Sequence, residues 1–169
     1  RAFSRLFTVL LMEAKKIFLD YKSALLKAQK HCAYQERSQH EVRNKLYEWG
    51  VRGEDAENII VELINQGYIN EERFAIQLAN GKFRIKHWGK VKITQALKLH
   101  HVSAYCIKKA LQQIPDEDYV KSLKKVLQTK TKSISGKMTP LKMRKLMHFA
   151  QSKGYEIDLI RKVLKAEED

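Results

Sequence analysis

The sequence predicts an all-α protein made of tandem three-helix repeat units in an elongated array, with its curvature left open. Only 7 Gly and 2 Pro occur among the 169 residues, fewer than a β-sandwich with many tight turns requires. Apolar residues make up 44% of the chain and charged residues 31%, a balance typical of folded globular proteins. A repeat with a period of about fifty residues is the third indication, because such periods are typical of stacked helical units.

The repeat is a helix, a tight turn and a second helix, followed in the first two copies by a third helix, and it occurs three times. Its first helix ends at Gly50, His101 or Gly154 in successive copies. Glycine tolerates the left-handed backbone that ends many helices, so His101 predicts a turn of different geometry in the second copy. The predicted units are 24–87, which includes a leading helix, 88–135, and 136–169, which is shortened.

Residues 1–23 are predicted to be an N-terminal extension. The chain opens on Arg1, and Met12 is a candidate start. A signal peptide is the alternative, but the apolar stretch is short and no small-residue cleavage site precedes Glu13. The role of residues 1–11 stays open.

Short polar side chains and glycines predict the helix ends. A short polar oxygen accepts from the unpaired N–H groups of a first turn, and glycine suits the residue after a last turn. The predicted N-caps are Asn70, Ser103, Asp116 and Thr139, and the predicted C-terminal glycines are Gly50, Gly67 and Gly154.

Apolar residues spaced three and four apart predict the buried face of each helix. We place Trp49 and Phe74 in the core of the first unit. The other predicted core residues are Val42, Leu46, Ile60, Leu63, Ile64, Leu78, Ile107, Leu111, Ile114, Tyr119, Leu123 and Val126.

Positive charge is concentrated in the second half of the chain. The net charge is +14, and residues 82–169 hold 21 basic and 8 acidic side chains, against 12 and 11 in residues 1–81. This asymmetry favours a partner rich in phosphate or carboxylate, with nucleic acid or nucleoprotein ahead of a membrane. A merely solvated lysine-rich surface is the alternative.

Two basic stretches are the candidate partner-binding or DNA-binding sites. The first interleaves cations with Phe83 and Trp88, which suits phosphate contacts and stacking, although we favour a core position for both rings. The second surrounds the connector Thr129–Thr139, predicted to be a flexible cationic loop or else a solvated linker. The candidate residues are Lys82, Arg84, Lys86, Lys90, Lys92, Lys121, Lys124, Lys125, Lys130, Lys132, Lys137, Lys142, Arg144 and Lys145.

The sequence predicts no catalytic residue, cofactor or metal ion. Gly89-Lys90 and Gly136-Lys137 lack the spacing of a phosphate-binding loop. The acidic clusters 54–57 and 116–118 open predicted helices, where negative charge is favourable without any active site. We therefore expect a protein that is not an enzyme.

Cysteine usage and hydropathy predict a cytoplasmic, soluble protein without a membrane partner. Cys32 and Cys106 are far apart and lack CxxC spacing, which predicts reduced thiols and no disulfide. No apolar run approaches the roughly 20 residues that a membrane span requires.

Short motifs surround the predicted helix over Asn70–Lys86. Glu36-Arg37-Ser38 and Gly50-Val51 precede it, Gly67-Tyr68-Ile69-Asn70-Glu71-Glu72-Arg73-Phe74-Ala75 opens it, and Trp88-Gly89-Lys90 follows it. Between Ala24 and Leu164 the sequence resembles the RecX regulatory proteins of bacterial recombination.

The resemblance implies tandem three-helix units and a non-enzymatic modulator of the RecA recombinase. Such a protein lies along the groove of the RecA–DNA filament, restrains its ATPase, strand-exchange and co-protease activities, and promotes its disassembly in DNA repair, recombination and the SOS response. The resemblance also implies non-specific contact with single- or double-stranded DNA, and we expect a monomer. A plain sequence-nonspecific DNA-binding protein built from tandem helical units is the alternative.

Overall fold

A computed structural model describes residues 19–134 and 136–166. Over these residues the chain forms nine α-helices and no strand, which confirms the predicted all-α class. The first 18 residues, with Met12 and the segment 1–11, lie outside the described residues. The helices are α1 (Tyr21–Tyr34), α2 (Gln39–Glu48), α3 (Gly53–Asn65), α4 (Glu71–Lys86), α5 (Lys90–Leu99), α6 (Ala104–Gln112), α7 (Asp116–Lys132), α8 (Pro140–Ser152) and α9 (Ile157–Lys165).

The first of two compact units ends at Asn70 and contains α1, α2 and α3. The three helices pack against one another around a core that includes Leu46 and Leu63. Trp49 is partly buried against this core, but Ile64 is 39% exposed, so its predicted core position is wrong. The packed face of α3 is formed by other apolar residues, namely Ala56, Ile59, Ile60 and Leu63.

The second unit begins at Glu71 and contains α4 to α9 around one continuous core. Helix α4 packs along α6 and against α5, while α7, α8 and α9 pack together. Phe74 is 5% exposed within this core, so its predicted place in the core of the first unit is wrong. The apolar face of α4 is satisfied by α5 and α6, which follow it, and the spacing of apolar residues does not specify the direction of packing.

The three repeat turns share one backbone geometry. The turn residues Gly50, His101 and Gly154 have φ angles of 85°, 58° and 93°. In each turn this residue donates its N–H to the carbonyl three residues back, and the next residue donates to the carbonyl five back. The prediction that His101 makes a different turn is therefore wrong, because the two hydrogen bonds hold histidine in the left-handed region.

The predicted helix caps are confirmed in part. Ser103 and Thr139 each accept a hydrogen bond from the third helical N–H, at 3.4 and 3.2 Å. Asp116 does not cap α7: the N-cap is Pro115, and Asp116 is the first helical residue. The sequence interpretation missed Ser38, whose hydroxyl and backbone N–H form a reciprocal capping box with Glu41 at the start of α2.

Candidate partner interface

All fourteen cations proposed from the sequence lie on the second unit. Helix α4 carries three of them, α5 two, α7 five, α8 three, and Lys137 precedes α8. The structure brings some of them together around two aromatic rings and leaves others dispersed on exposed helix surfaces.

Lys142 is not available to a partner. Its side chain is buried, with 8% of the residue exposed, and its Nζ donates to the carbonyl oxygen of Gly136 at 2.9 Å. The prediction that Lys142 contacts a partner is therefore wrong. Its role is to tie the segment before α8 onto the helix.

The predicted flexible connector is shorter than expected. Helix α7 continues to Lys132, so Lys130 and Lys132 lie on a helix and not on a loop. Thr129 and Thr131 lie within this helix, and each hydroxyl donates to the carbonyl four residues back, at 2.8 and 2.9 Å, a pattern that threonine adopts inside helices. The cations of α7 are therefore held at helical spacing.

The first aromatic ring is that of Trp88, at the turn between α4 and α5. The ring is partly buried, as favoured from the sequence, and Phe83 is fully packed in the core. Nζ of Lys82 and Nζ of Lys92 lie 5.1 and 4.8 Å from the Trp88 ring centroid, within the range of cation–π attraction. Lys92 also donates to the carbonyl oxygen of Ser152 at 3.1 Å.

The second ring is that of Phe149 on α8. Nζ of Lys130 and Nζ of Lys153 lie 5.1 and 5.7 Å from its centroid. The ring borders a cleft of about 130 Å³ that Lys125 also lines. We define the lysine–aromatic face as the two rings, the lysines over them, and the lysine and histidine residues of this cleft: Lys82, His87, Trp88, Lys92, Lys125, Lys130, Phe149 and Lys153.

A turn-to-turn contact joins the backbone next to Trp88 to the end of the helix that carries Phe149. The Gly89 N–H donates to the carbonyl oxygen of Lys153 at 2.8 Å, and the Val91 N–H donates to that of Gly154 at 3.1 Å. A Cβ atom on Gly89 would lie 2.1 Å from the Gly154 oxygen, a distance that no side chain permits. Glycine at the centre of Trp88-Gly89-Lys90 is thus required by packing.

Tyr119 fastens the same contact from the core side. Its hydroxyl accepts from the Lys90 N–H at 2.8 Å and donates to Glu156 at 2.7 Å. Burial, reinforced by the bond to Glu156, raises the pKa of Tyr119 above its ordinary value. The Tyr155 hydroxyl lies 2.8 Å from that of Ser122. These bonds tie α7 to the segment just before α9, beside the turn-to-turn contact.

The remaining sequence candidates do not converge on these rings. Lys90 forms an ion pair with Asp116 at 3.1 Å and lies over Tyr119, at 4.7 Å from the ring centroid. The other candidates contribute exposed charge: Arg84, Lys86, Lys121, Lys124, Lys132, Lys137, Arg144 and Lys145.

Sequence reasoning missed three members of the face, namely His87, Phe149 and Lys153. Lys153 directly precedes the glycine of the third repeat turn, and that position was the available signal. Lys153 joins the face because two turns that are over sixty residues apart in the chain meet in the fold. No local sequence pattern predicts such a contact.

The described residues contain no group of three or more His, Cys, Asp or Glu that could hold a metal ion. Both cysteines are buried and free. Burial raises the pKa of the Cys32 thiol to about 11 and also raises that of Cys106, so both thiols are protonated at neutral pH. None of the helices within residues 19–134 and 136–166 has the length and apolarity to cross a membrane.

Three family models match the chain in sequence order. The model described as "RecX, first three-helix domain" matches residues 24–63, that of the second domain residues 70–111, and that of the third domain residues 116–164. Each match covers three helices of the structure, and together they confirm the predicted tandem three-helix repeat.

Curated relatives and solved structures agree with these matches. "Regulatory protein RecX" from Bacillus mycoides (strain KBAB4) is 26% identical over 143 residues, which are 84% of this chain and 53% of the relative. The protein of the same name from Lactobacillus johnsonii (strain CNCM I-12250 / La1 / NCC 533) is 28% identical over 99 residues, 59% of this chain and 36% of the relative. The chain thus spans about half the length, or less, of these relatives.

The fold is that of solved RecX structures. The crystal structure of RecX from Lactobacillus salivarius superposes with a TM-score of 0.79 at 20% identity, over 86% of this chain and 95% of that one. A second crystal structure, of "regulatory protein RecX", gives 0.76 at 19% identity, over 86% and 73%. The curated names describe regulatory proteins and not enzymes, as predicted. With all three domain models matched in order and the fold shared, the chain belongs to the RecX family of regulatory proteins.

Proposed function

We propose that this chain binds the RecA–DNA filament and mainly inhibits the ATPase, strand-exchange and co-protease activities of the recombinase. Family membership supports a regulatory role, and the lysine–aromatic face is the observation that carries the proposal. It presents five lysines and two aromatic rings on the unit that holds most of the positive charge. Such a surface suits phosphate groups and acidic side chains, which a nucleoprotein filament offers together.

The face acts through preformed geometry. Gly89 and Gly154 lock the two turns, and the lysines over Trp88 and Phe149 rest on the rings. Little ordering is therefore required when a partner arrives, which favours affinity. Bound across neighbouring subunits, the chain restrains the motions that hydrolysis and strand exchange require and favours filament disassembly.

The decisive experiment measures ATP hydrolysis by RecA filaments on single-stranded DNA as this protein is added. The face variant carries Lys130→Glu and Lys153→Glu, and the charge-matched control carries Lys22→Glu and Lys30→Glu on α1. Because the reversed charges repel the partner, we expect inhibition by the face variant to require at least about tenfold more protein. The control should inhibit like the wild type. Equal inhibition by all three proteins would exclude the face.

The alternative function is sequence-nonspecific DNA binding. The two lysine-framed rings favour it, because aromatic platforms beside cations are typical of single-strand binding proteins. Binding to the RecA filament is compared with binding to the same bare DNA at moderate salt. Tighter binding to the filament supports the proposed regulator, and equal affinities support the alternative.

A further inference from the structure

A second concave surface of the second unit lies outside the lysine–aromatic face. It is an open groove of about 810 Å³ between α5, α6 and the start of α7. The groove exists because α4 packs extensively along α6 and also against α5, whereas α5 and α6 touch each other little. Its floor is aliphatic and consists of Ile107, Leu111 and Ile114.

The rim of the groove is positively charged. Lys98 and Lys108 are exposed, and neither forms an ion pair with any residue that the structure describes. At one end Lys90 neutralises Asp116, the one acidic residue of the lining, at 3.1 Å. The groove therefore offers an apolar floor between two unpaired cations.

We propose that this groove binds an acidic amphipathic segment of a partner polypeptide. Apolar side chains of the segment cover Ile107 and Leu111, and its carboxylates pair with Lys98 and Lys108. The lining contains no aromatic ring, so it lacks the stacking platform that single-stranded nucleic acid uses. Flexible lysines on an open rim suit the repeated carboxylates of a peptide, and the pattern is that of an amphipathic helix in a groove.

The test uses a fluorescein-labelled peptide with Leu at helical spacing flanked by Glu, and its binding is followed by fluorescence anisotropy. Its Gln-for-Glu counterpart is the control peptide. We expect the Glu peptide to bind the wild type, and Lys98→Glu with Lys108→Glu to weaken that binding by about tenfold. The charge-matched pair Lys22→Glu and Lys30→Glu should leave it unchanged.

A second variant tests the floor without changing charge. Ala104 is exposed at the first position of α6 and lines the groove, so Ala104→Trp fills the space while circular dichroism verifies that the helices are retained. Peptide binding should be lost. Unchanged binding by this variant, or equal binding of the Gln peptide, would overturn the proposal.

A labelled oligonucleotide is the competing probe. If the groove variants weaken oligonucleotide binding and leave peptide binding intact, the groove is a nucleic-acid site and the proposal fails. The groove proposal does not depend on RecA. If the wild-type protein binds the peptide but does not inhibit RecA filaments, the proposed function is refuted and the groove assignment stands.

Discussion

Gly89 and Gly154 approach so closely that a Cβ atom on Gly89 would lie 2.1 Å from the carbonyl oxygen of Gly154. The contact joins the turn before α5 to the turn after α8, and the Gly154 carbonyl accepts from the Val91 N–H at 3.1 Å. Two of the three family domains share one core, and the contact joins the segment that follows Trp88 to the turn that follows the Phe149 helix.

Substituting Gly89 should destabilise the second unit. We expect Gly89→Ala to lower the free energy of unfolding by about 1–3 kcal/mol or more, because backbone must move to admit the methyl group. Gly81 lies inside α4 with no atom near its Cβ position, so Gly81→Ala should stabilise by about 0.5–1 kcal/mol. Urea unfolding of both variants measures the difference, and equal effects would contradict the close approach.

His101 stores strain in a turn where the other two copies have glycine. Its φ of 58° disfavours any side chain with a Cβ, so His101→Gly should raise the free energy of unfolding by about 1 kcal/mol. His148 is exposed within α8, where glycine should instead cost about 1 kcal/mol. Thermal unfolding compares the two variants, and destabilisation by His101→Gly would refute the strain.

Phe74 should stabilise the second unit and not the first. Truncation to alanine removes a buried ring and should cost roughly 3–5 kcal/mol. The chain has 2 Trp, one in each unit, so tryptophan fluorescence can follow the unfolding of each unit separately. In a Trp49→Phe background Trp88 reports the second unit, and in a Trp88→Phe background Trp49 reports the first. If Phe74→Ala shifted only the unfolding transition reported by Trp49, Phe74 would belong to the core of the first unit and the assignment would be wrong.

Tyr119 should make stability fall at alkaline pH. Burial raises the pKa of Tyr119 in the folded state. The protonated hydroxyl therefore contributes its full stabilisation below the pKa of about 10 that tyrosine has in the unfolded chain, and this stabilisation is lost as pH rises above that value. Tyr119→Phe should cost about 1–3 kcal/mol at neutral pH by removing the bonds to Lys90 and Glu156. Its deficit relative to wild type should shrink above about pH 10. A constant deficit in urea titrations would contradict the buried hydroxyl.

The cations of α7 should make filament binding sensitive to salt. Reversing Lys124, Lys125, Lys130 and Lys132 to Glu should weaken binding while far-UV circular dichroism is unchanged. Wild-type affinity should fall steeply between about 50 and 200 mM salt, and the variant should show a shallower slope. ATPase inhibition measured against salt for both proteins provides the curves. Superimposable curves would remove α7 from the interface.

The predictions that succeeded from sequence are local ones. Ser103 and Thr139 cap helices because the side-chain oxygen of an N-cap residue can accept a hydrogen bond from the backbone N–H three residues later. Gly50 and Gly154 end helices because of their own backbone freedom. The short motifs also predicted the RecX family, and the repeat independently predicted its tandem helical units. These properties depend on neighbours within a few residues, or on order along the chain, and both are written in the sequence.

Tertiary structure alone decided which residues meet across long separations. It buried Lys142 against Gly136, placed Phe74 in the second core, and assembled Lys130, Phe149 and Lys153 into one face. The physical reason is that an amphipathic helix satisfies its apolar stripe against any complementary neighbour. Periodicity thus predicts that a face is covered, while the choice of neighbour depends on contacts such as that of Gly89 with Gly154, where the absence of two side chains lets distant turns touch.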